Sequence, residues 1–234
     1  MTPETLPSRA PQATPPRHTA RTPAAARARF WDKIARKYAA DPIADMPGYE
    51  KSLVRALEFL SPTQSVLEVG CGTGTTALRL APATGRLLAT DLSPQMIAIA
   101  NEKLAADPRA NLEFRVADAD APMAEPGSHD VVLAFNLLHL VADLDGALST
   151  ITQALVPGGL LISKTACISE MNPLVPWLLL PLMRLVGKAP DVRCFAAPAL
   201  EAAMRRHGLT ILAVERHGTR GKDIRVFIVA RKAA

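Results

Sequence analysis

The stretch Glu68-Val69-Gly70-Cys71-Gly72-Thr73-Gly74 combines a carboxylate with three alternate glycines, a pattern that holds a ligand against the backbone. Glycine lets the chain turn sharply and lets a ligand approach where a Cβ would otherwise stand. Glu68 lies just ahead of the first glycine, inside the apolar run Val66-Leu67-Glu68-Val69. Asp91 ends the next apolar run, where a carboxylate can accept hydrogen bonds from both hydroxyls of a ribose. Asp118, in Val116-Ala117-Asp118-Ala119, ends the third run. The glycine loop alone is shared by many nucleotide binders. The acids at successive run ends make it more selective.

Those runs have to be strands, and the strands need helices to cover them. Ser65–Val69, Arg86–Thr90, Leu112–Ala117, Asp130–Phe135 and Leu160–Lys164 are predicted strands. Helical patterns intervene at Thr75–Leu80, Pro94–Ala105 and Leu144–Leu155, after earlier helices around Phe30–Tyr38 and Tyr49–Leu60. Continuous apolar strands alternating with helices imply a parallel sheet covered on both faces. A helix at Pro198–His207 and strands at Thr210–Glu215 and Ile224–Ala230 close the chain. The short link between those two strands predicts a hairpin and an antiparallel last strand. The expected fold is therefore α/β and Rossmann-like, with seven mostly parallel strands. Residues 1–28 hold six prolines among Ala, Thr and Arg, and read as a disordered tail ahead of a single domain over 29–234. The tail's Arg-rich, acid-poor composition also suits a transit peptide, although its prolines spoil an amphipathic helix.

Charge is unevenly placed. Residues 1–29 carry five Arg and one Glu, residues 30–183 carry 11 basic and 17 acidic groups, and residues 184–234 carry 11 basic and four acidic groups. A chain with an acidic middle is not a uniformly basic nucleic-acid binder, and no nucleic-acid partner is expected. No apolar run reaches the ~18–20 residues that cross a bilayer. The three cysteines, Cys71, Cys167 and Cys194, have no metal-ligand spacing, so no metal is expected and a reducing, cytoplasmic location fits.

Taken together, Glu68-x-Gly70-x-Gly72-x-Gly74, Asp91-Leu92-Ser93, Asp118-Ala119, Asn136-Leu137-Leu138-His139 and Leu155-x-Pro157-Gly158-Gly159-Leu160 resemble class I S-adenosylmethionine (SAM) dependent methyltransferases from about residue 30 onward. The resemblance implies SAM as cofactor. It assigns Glu68 to the amino acid end, the backbone of Gly70, Cys71, Gly72 and Gly74 to close approach, and Asp91 with Leu92 to the ribose. Asp118 and Ala119 fall to the adenine, Met96 to the same pocket, and Asn136 to the methyl side. A dinucleotide-binding oxidoreductase is the competing reading. Its third glycine would stand at Thr75, and Glu68 would face a diphosphate, whereas SAM carries a sulfonium and an ammonium that suit carboxylates. A SAM-binding regulatory module without catalysis is the other alternative.

Acceptor features are less defined. Phe30, Ile34 and Tyr38 share one helical face, and with Trp31 they form a helix that resembles a lid segment, with Tyr38 able to close over a sulfonium or to pack on the sheet. His139 is the candidate general base and equally a structural histidine. The apolar stretch 173–186 with Trp177, and Arg216, Arg220 and Lys222 around the last turn, should reach the ligand-binding edge of the sheet. They suit a small or lipid-like acceptor, anionic and amphiphilic, or a peripheral membrane contact.

Overall fold

The computed structural model describes residues 23–171, 174, 192–219, 221 and 223–234. Trp177, Arg220, Lys222, most of the apolar stretch and residues 1–22 lie outside the described residues.

Helix α1 (Pro23–Ala40) already takes in residues 23–28, so the ordered domain begins before the expected boundary. The reason is a long-range tether: Arg27 donates to Asp120 (2.6 Å) and Asp118 (3.0 Å), giving this turn partners the local sequence does not reveal. Helix α2 (Met46–Leu57) also starts ahead of its expected position. Asp45 accepts from the Gly48 amide, and Pro47 occupies the first turn, where its missing donor costs nothing.

The sheet comprises β1 (Ser65–Val69), β2 (Arg86–Asp91), β3 (Leu112–Val116), β4 (His129–Phe135), β5 (Leu155–Ala166), β6 (Leu209–Arg216) and β7 (Arg225–Lys232). Its order is β3-β2-β1-β4-β5-β7-β6. The pairs among β1 to β5 are parallel, and β7 lies antiparallel between β5 and β6. Six strands therefore run one way and the last runs against them, as the short final link implied.

Alternate side chains sort onto two faces. Leu67, Leu88, Val132, Leu161 and Ile228 pack under α5 (Leu144–Ala154) and α6 (Ala197–Arg206). Val66, Leu87, Val131, Ile162 and Phe227 pack under α2, α3 (Thr75–Leu80) and α4 (Pro94–Ala106). Covering both faces requires apolar residues at every strand position, which is why the strands read as continuous runs. Helix α1 lies outside this layer, with Trp31 and Ala35 against Met96 and Ile99 of α4. Ser93 caps α4 by accepting from the Met96 amide (3.1 Å), and Asp32 of α1 accepts from the Ser93 hydroxyl (2.5 Å) and the Gln95 amide (3.1 Å). Helix α1 is thereby fastened over the ends of β2 and β3.

The glycine loop runs from β1 into α3 through Gly74, whose φ is +75°. A Cβ there would stand 2.5 Å from Phe114 Cζ and 2.9 Å from Ala100 Cβ. Gly74→Ala combines left-handed strain with overpacking and is expected to cost about 2–4 kcal/mol in urea unfolding. A loss below ~1 kcal/mol would show that Phe114 can move aside.

Candidate functional site

Two adjoining cavities open at the carboxyl edge of the parallel strands, where ligands bind in open α/β folds. The first is a narrow cleft of about 100 Å³ roofed by Arg27, Trp31 and Tyr38 of α1. Gly70, Gly72, Asp91, Leu92, Met96, Asp118, Ala119 and Asn136 all line it. The topology thus brings together most of the residues the sequence assigned to a cofactor. The second cavity, of about 630 Å³, takes in Glu68, Cys71, Tyr49, Lys164 and Arg225, and shares Tyr38, Gly70, Gly72, Phe135 and Asn136 with the first.

Asp91 holds the loop as well as facing the cleft. One carboxylate oxygen accepts from the Gly72 amide (2.9 Å) and the other from the Ser93 amide (2.9 Å). Each oxygen retains a lone pair. Burial pushes its pKa above the ordinary carboxylate value, and those amides pull it back. Glu68 is almost wholly buried, and its Oε2 has no hydrogen-bond partner. Burial, then the Asp91 charge, raises its pKa to about 8. An orphaned buried carboxyl beside a second acid suits a cationic ligand and repels a diphosphate.

Asp118 accepts from Arg27 and from the Asp120 amide (3.1 Å), which ties the far end of the cleft to α1. Tyr38 stands between the cavities, half exposed, and edge-on to Trp31 at 6.4 Å between ring centres. Desolvation of its hydroxyl, then Asp91 and Glu68, raises its pKa. Asn136 follows β4 with φ +54°, an uncommon conformation for a non-glycine residue, and its amide donates to the Lys164 carbonyl (2.6 Å). Burial pushes the Cys71 thiol well above its usual range, so it stays protonated as a small loop residue.

Two expected acceptor residues fall elsewhere. His139 lines neither cavity; burial and the Arg225 charge lower its pKa to about 4, and its Nδ1 is buried without a partner. Such an imidazole is neutral at pH 7 but a weak base. Arg216 also stands outside both cavities, donating to Glu170 (2.7 Å) and to the Asp223 carbonyl (2.6 Å).

The sequence reading missed Lys164 and Arg225. Lys164 Nζ donates to Ser52 Oγ (2.7 Å) and the Gly48 carbonyl (3.2 Å). Ser52 Oγ lies 3.0 Å from His217 Nδ1, and His217 Nε2 lies 2.9 Å from Glu215. A polar chain thus runs from the cavity floor to Glu215, which also accepts from Arg55 (2.9 Å). One signal for Lys164 was available, a charge closing an apolar predicted strand. Arg225 had none until the antiparallel pairing of β7 with β5 was known.

Comparison with known proteins agrees with this geometry. Residues 67–161 match a family model described as a methyltransferase domain. A highly reducing polyketide synthase of Gibberella zeae is 35% identical over 115 residues, covering 44% of this chain and 4% of that protein. A demethylmenaquinone methyltransferase of Lactococcus lactis is 33% identical over 115 residues, covering 48% of this chain and 44% of that protein. The chain therefore spans a small fraction of the polyketide synthase and under half of the Lactococcus enzyme. Among solved structures, a phosphoethanolamine N-methyltransferase 2 of Haemonchus contortus, bound to phosphomonomethylethanolamine and S-adenosylhomocysteine, superposes with TM-score 0.71 at 18% identity. That match covers 89% of this chain and 61% of the other. It is a likeness of fold.

Proposed function

We propose that this chain is a class I SAM-dependent methyltransferase that methylates a small or lipid-like amphiphilic acceptor, a reading supported by the sheet order and by the methyltransferase-domain match over residues 67–161. The observation that carries the reading is Glu68: a buried, unpartnered carboxyl behind a glycine loop, with Asp91 beside it. SAM, when bound, supplies an electrophilic methyl group on a sulfonium. Glu68 would pair with its ammonium, Asp91 would accept from its ribose, and Asp118 with Ala119 would border its adenine. Tyr38, on α1, would screen the cleft from water and offer its aromatic face toward the cation.

The larger cavity supports the acceptor class. It joins the cleft through Tyr38, Gly72 and Asn136, and its walls mix Ile43, Met46, Tyr49 and Phe135 with polar groups. Such a cavity matches the size and character of sites that enclose small molecules. In-line transfer is chiefly an alignment problem, so two cavities that meet are the geometry required. No described helix is long and apolar enough to cross a membrane.

The test is incubation with methyl-labelled SAM and fractionated small-molecule and lipid extracts, with RNA and protein fractions in parallel. Label is expected in a small-molecule or lipid fraction. Label confined to RNA or protein would overturn the acceptor class. Tight S-adenosylhomocysteine binding with no transfer to any fraction would leave a SAM-binding module and overturn catalysis.

A further inference from the structure

Lys164 and Arg225 form a cationic floor in the larger cavity with no described carboxylate in direct contact. Lys164 is 5% exposed, and among the described residues no carboxylate lies within ion-pair distance of it or of Arg225. Buried ammonium groups are almost always paired, because an isolated charge out of water is costly. Here the protein supplies only neutral acceptors, Ser52 Oγ and the Gly48 carbonyl. An ammonium has three donors, which leaves one more than these two acceptors use.

The nearest acids are committed elsewhere. Asp45 accepts from the Gly48 amide (3.1 Å) and from the Thr219 amide (2.9 Å) and hydroxyl (2.6 Å). Asp223 accepts from the Gly218 amide (2.6 Å) and the Arg225 amide (3.0 Å). Burial lowers the Lys164 pKa and Arg225 adds to that, while Asp223 and Asp45 oppose it. His217 reaches Lys164 only through Ser52. Of the two acids on the cavity wall, Asp41 accepts from Lys37 (2.5 Å), and Glu68 belongs to β1, with β4 between it and the lysine's strand.

The topology makes the pair. Lys164 opposes Phe227 and Ala166 opposes Arg225 across the antiparallel β5–β7 ladder. The two cations therefore share one sheet face on adjacent strands, the face that carries Phe135 and Phe227. Of these rings Phe135 reaches the cavity, where Tyr49 joins it, and apolar rings beside two cations make a receptor for an oxyanion borne on an apolar body.

We propose that Lys164 and Arg225 bind an oxyanion, a carboxylate or a phosphate, carried by the acceptor. This deepens the acceptor assignment above and rests on it. Arg225 offers the planar fork that matches either group, and Lys164 a buried point charge.

Calorimetry on the full chain saturated with S-adenosylhomocysteine tests it, using 2-naphthoate and 2-naphthyl phosphate as probes against uncharged 2-naphthamide. At least one anionic probe should bind at least about tenfold more tightly than the amide, and the tighter of the two identifies the oxyanion. Arg225→Gln, at a partly exposed site, and Lys164→Met should each remove most of that preference while leaving the amide within about threefold. Equal binding of all three probes by the parent protein would overturn the proposal, as would an Arg225→Gln variant that keeps the preference. Failure of S-adenosylhomocysteine to bind at the outset would instead strike the cofactor reading, so the two failures are distinguishable.

Discussion

Asp91→Ala is expected to weaken S-adenosylhomocysteine binding by about a hundredfold or more. Two hydroxyls donating to one carboxylate are charge-assisted bonds of roughly 1.5–3 kcal/mol each, and ~1.4 kcal/mol is a tenfold change in affinity. The same substitution releases the Gly72 and Ser93 amides that Asp91 holds at 2.9 Å, so the loop loses its brace as the ligand loses its partner. Asp91→Asn separates the two effects. It keeps one carbonyl acceptor and the side chain's shape, and should lie between the parent and alanine. Titration calorimetry together with a thermal melt of each variant reads both. Affinity within about threefold of the parent for Asp91→Ala would remove this residue from the cofactor site.

Glu68→Gln should stabilise the ligand-free protein and weaken ligand binding at the same time. The folded chain holds the Glu68 proton up to about pH 8, against 4.5 for the ordinary carboxyl. Because the folded state binds this proton more tightly, the contribution to stability is fullest below pH 4.5, falls as pH rises, and levels off above about 8. Over that window the loss amounts to about 5 kcal/mol, a large part of the ~5–15 kcal/mol available to a domain. Asp91 shifts in the same direction. His139, lowered from 6.5 to about 4, acts oppositely in the acid half of the window. The difference between parent and Glu68→Gln isolates the glutamate, since His139 is common to both. Urea unfolding at pH 5 and pH 8 should show a gap in favour of the variant that widens by several kcal/mol with pH. Parallel pH profiles would show that Glu68 ionises normally. A cationic ligand must also expel this proton, so S-adenosylmethionine binding at pH 7 should release protons, seen as a dependence of the calorimetric heat on buffer ionisation enthalpy.

Both effects come from one arrangement. An acid buried without a partner lowers the stability of the ligand-free chain and is relieved when a cation arrives, which is how strain at a site becomes affinity. The unpaired Lys164 and Arg225 repeat the logic with opposite sign in the neighbouring cavity.

The cofactor side was legible in the sequence because its determinants are local. A glycine loop, an acid two positions ahead of it and acids at the following strand ends are each set within a few residues of a strand terminus, and a parallel sheet brings all such termini to one edge. Residue types and the alternation of strand and helix were therefore sufficient for the fold class, the antiparallel last strand and most of the lining of the cleft. They were not sufficient for Arg27, which read as tail, nor for Gly74, which lines neither cavity and packs on Phe114. The acceptor side depends on contacts between distant segments. That β7 inserts between β5 and β6 decides that Arg225 meets Lys164, and that α2 lies across this face decides that Ser52 and Gly48 receive the lysine. Arg216 and His139 had suitable chemistry and suitable positions along the chain. Only the tertiary structure committed Arg216 to Glu170 and withdrew the His139 ring from both cavities, because the pairing and burial of a side chain depend on neighbours that the chain brings in from elsewhere.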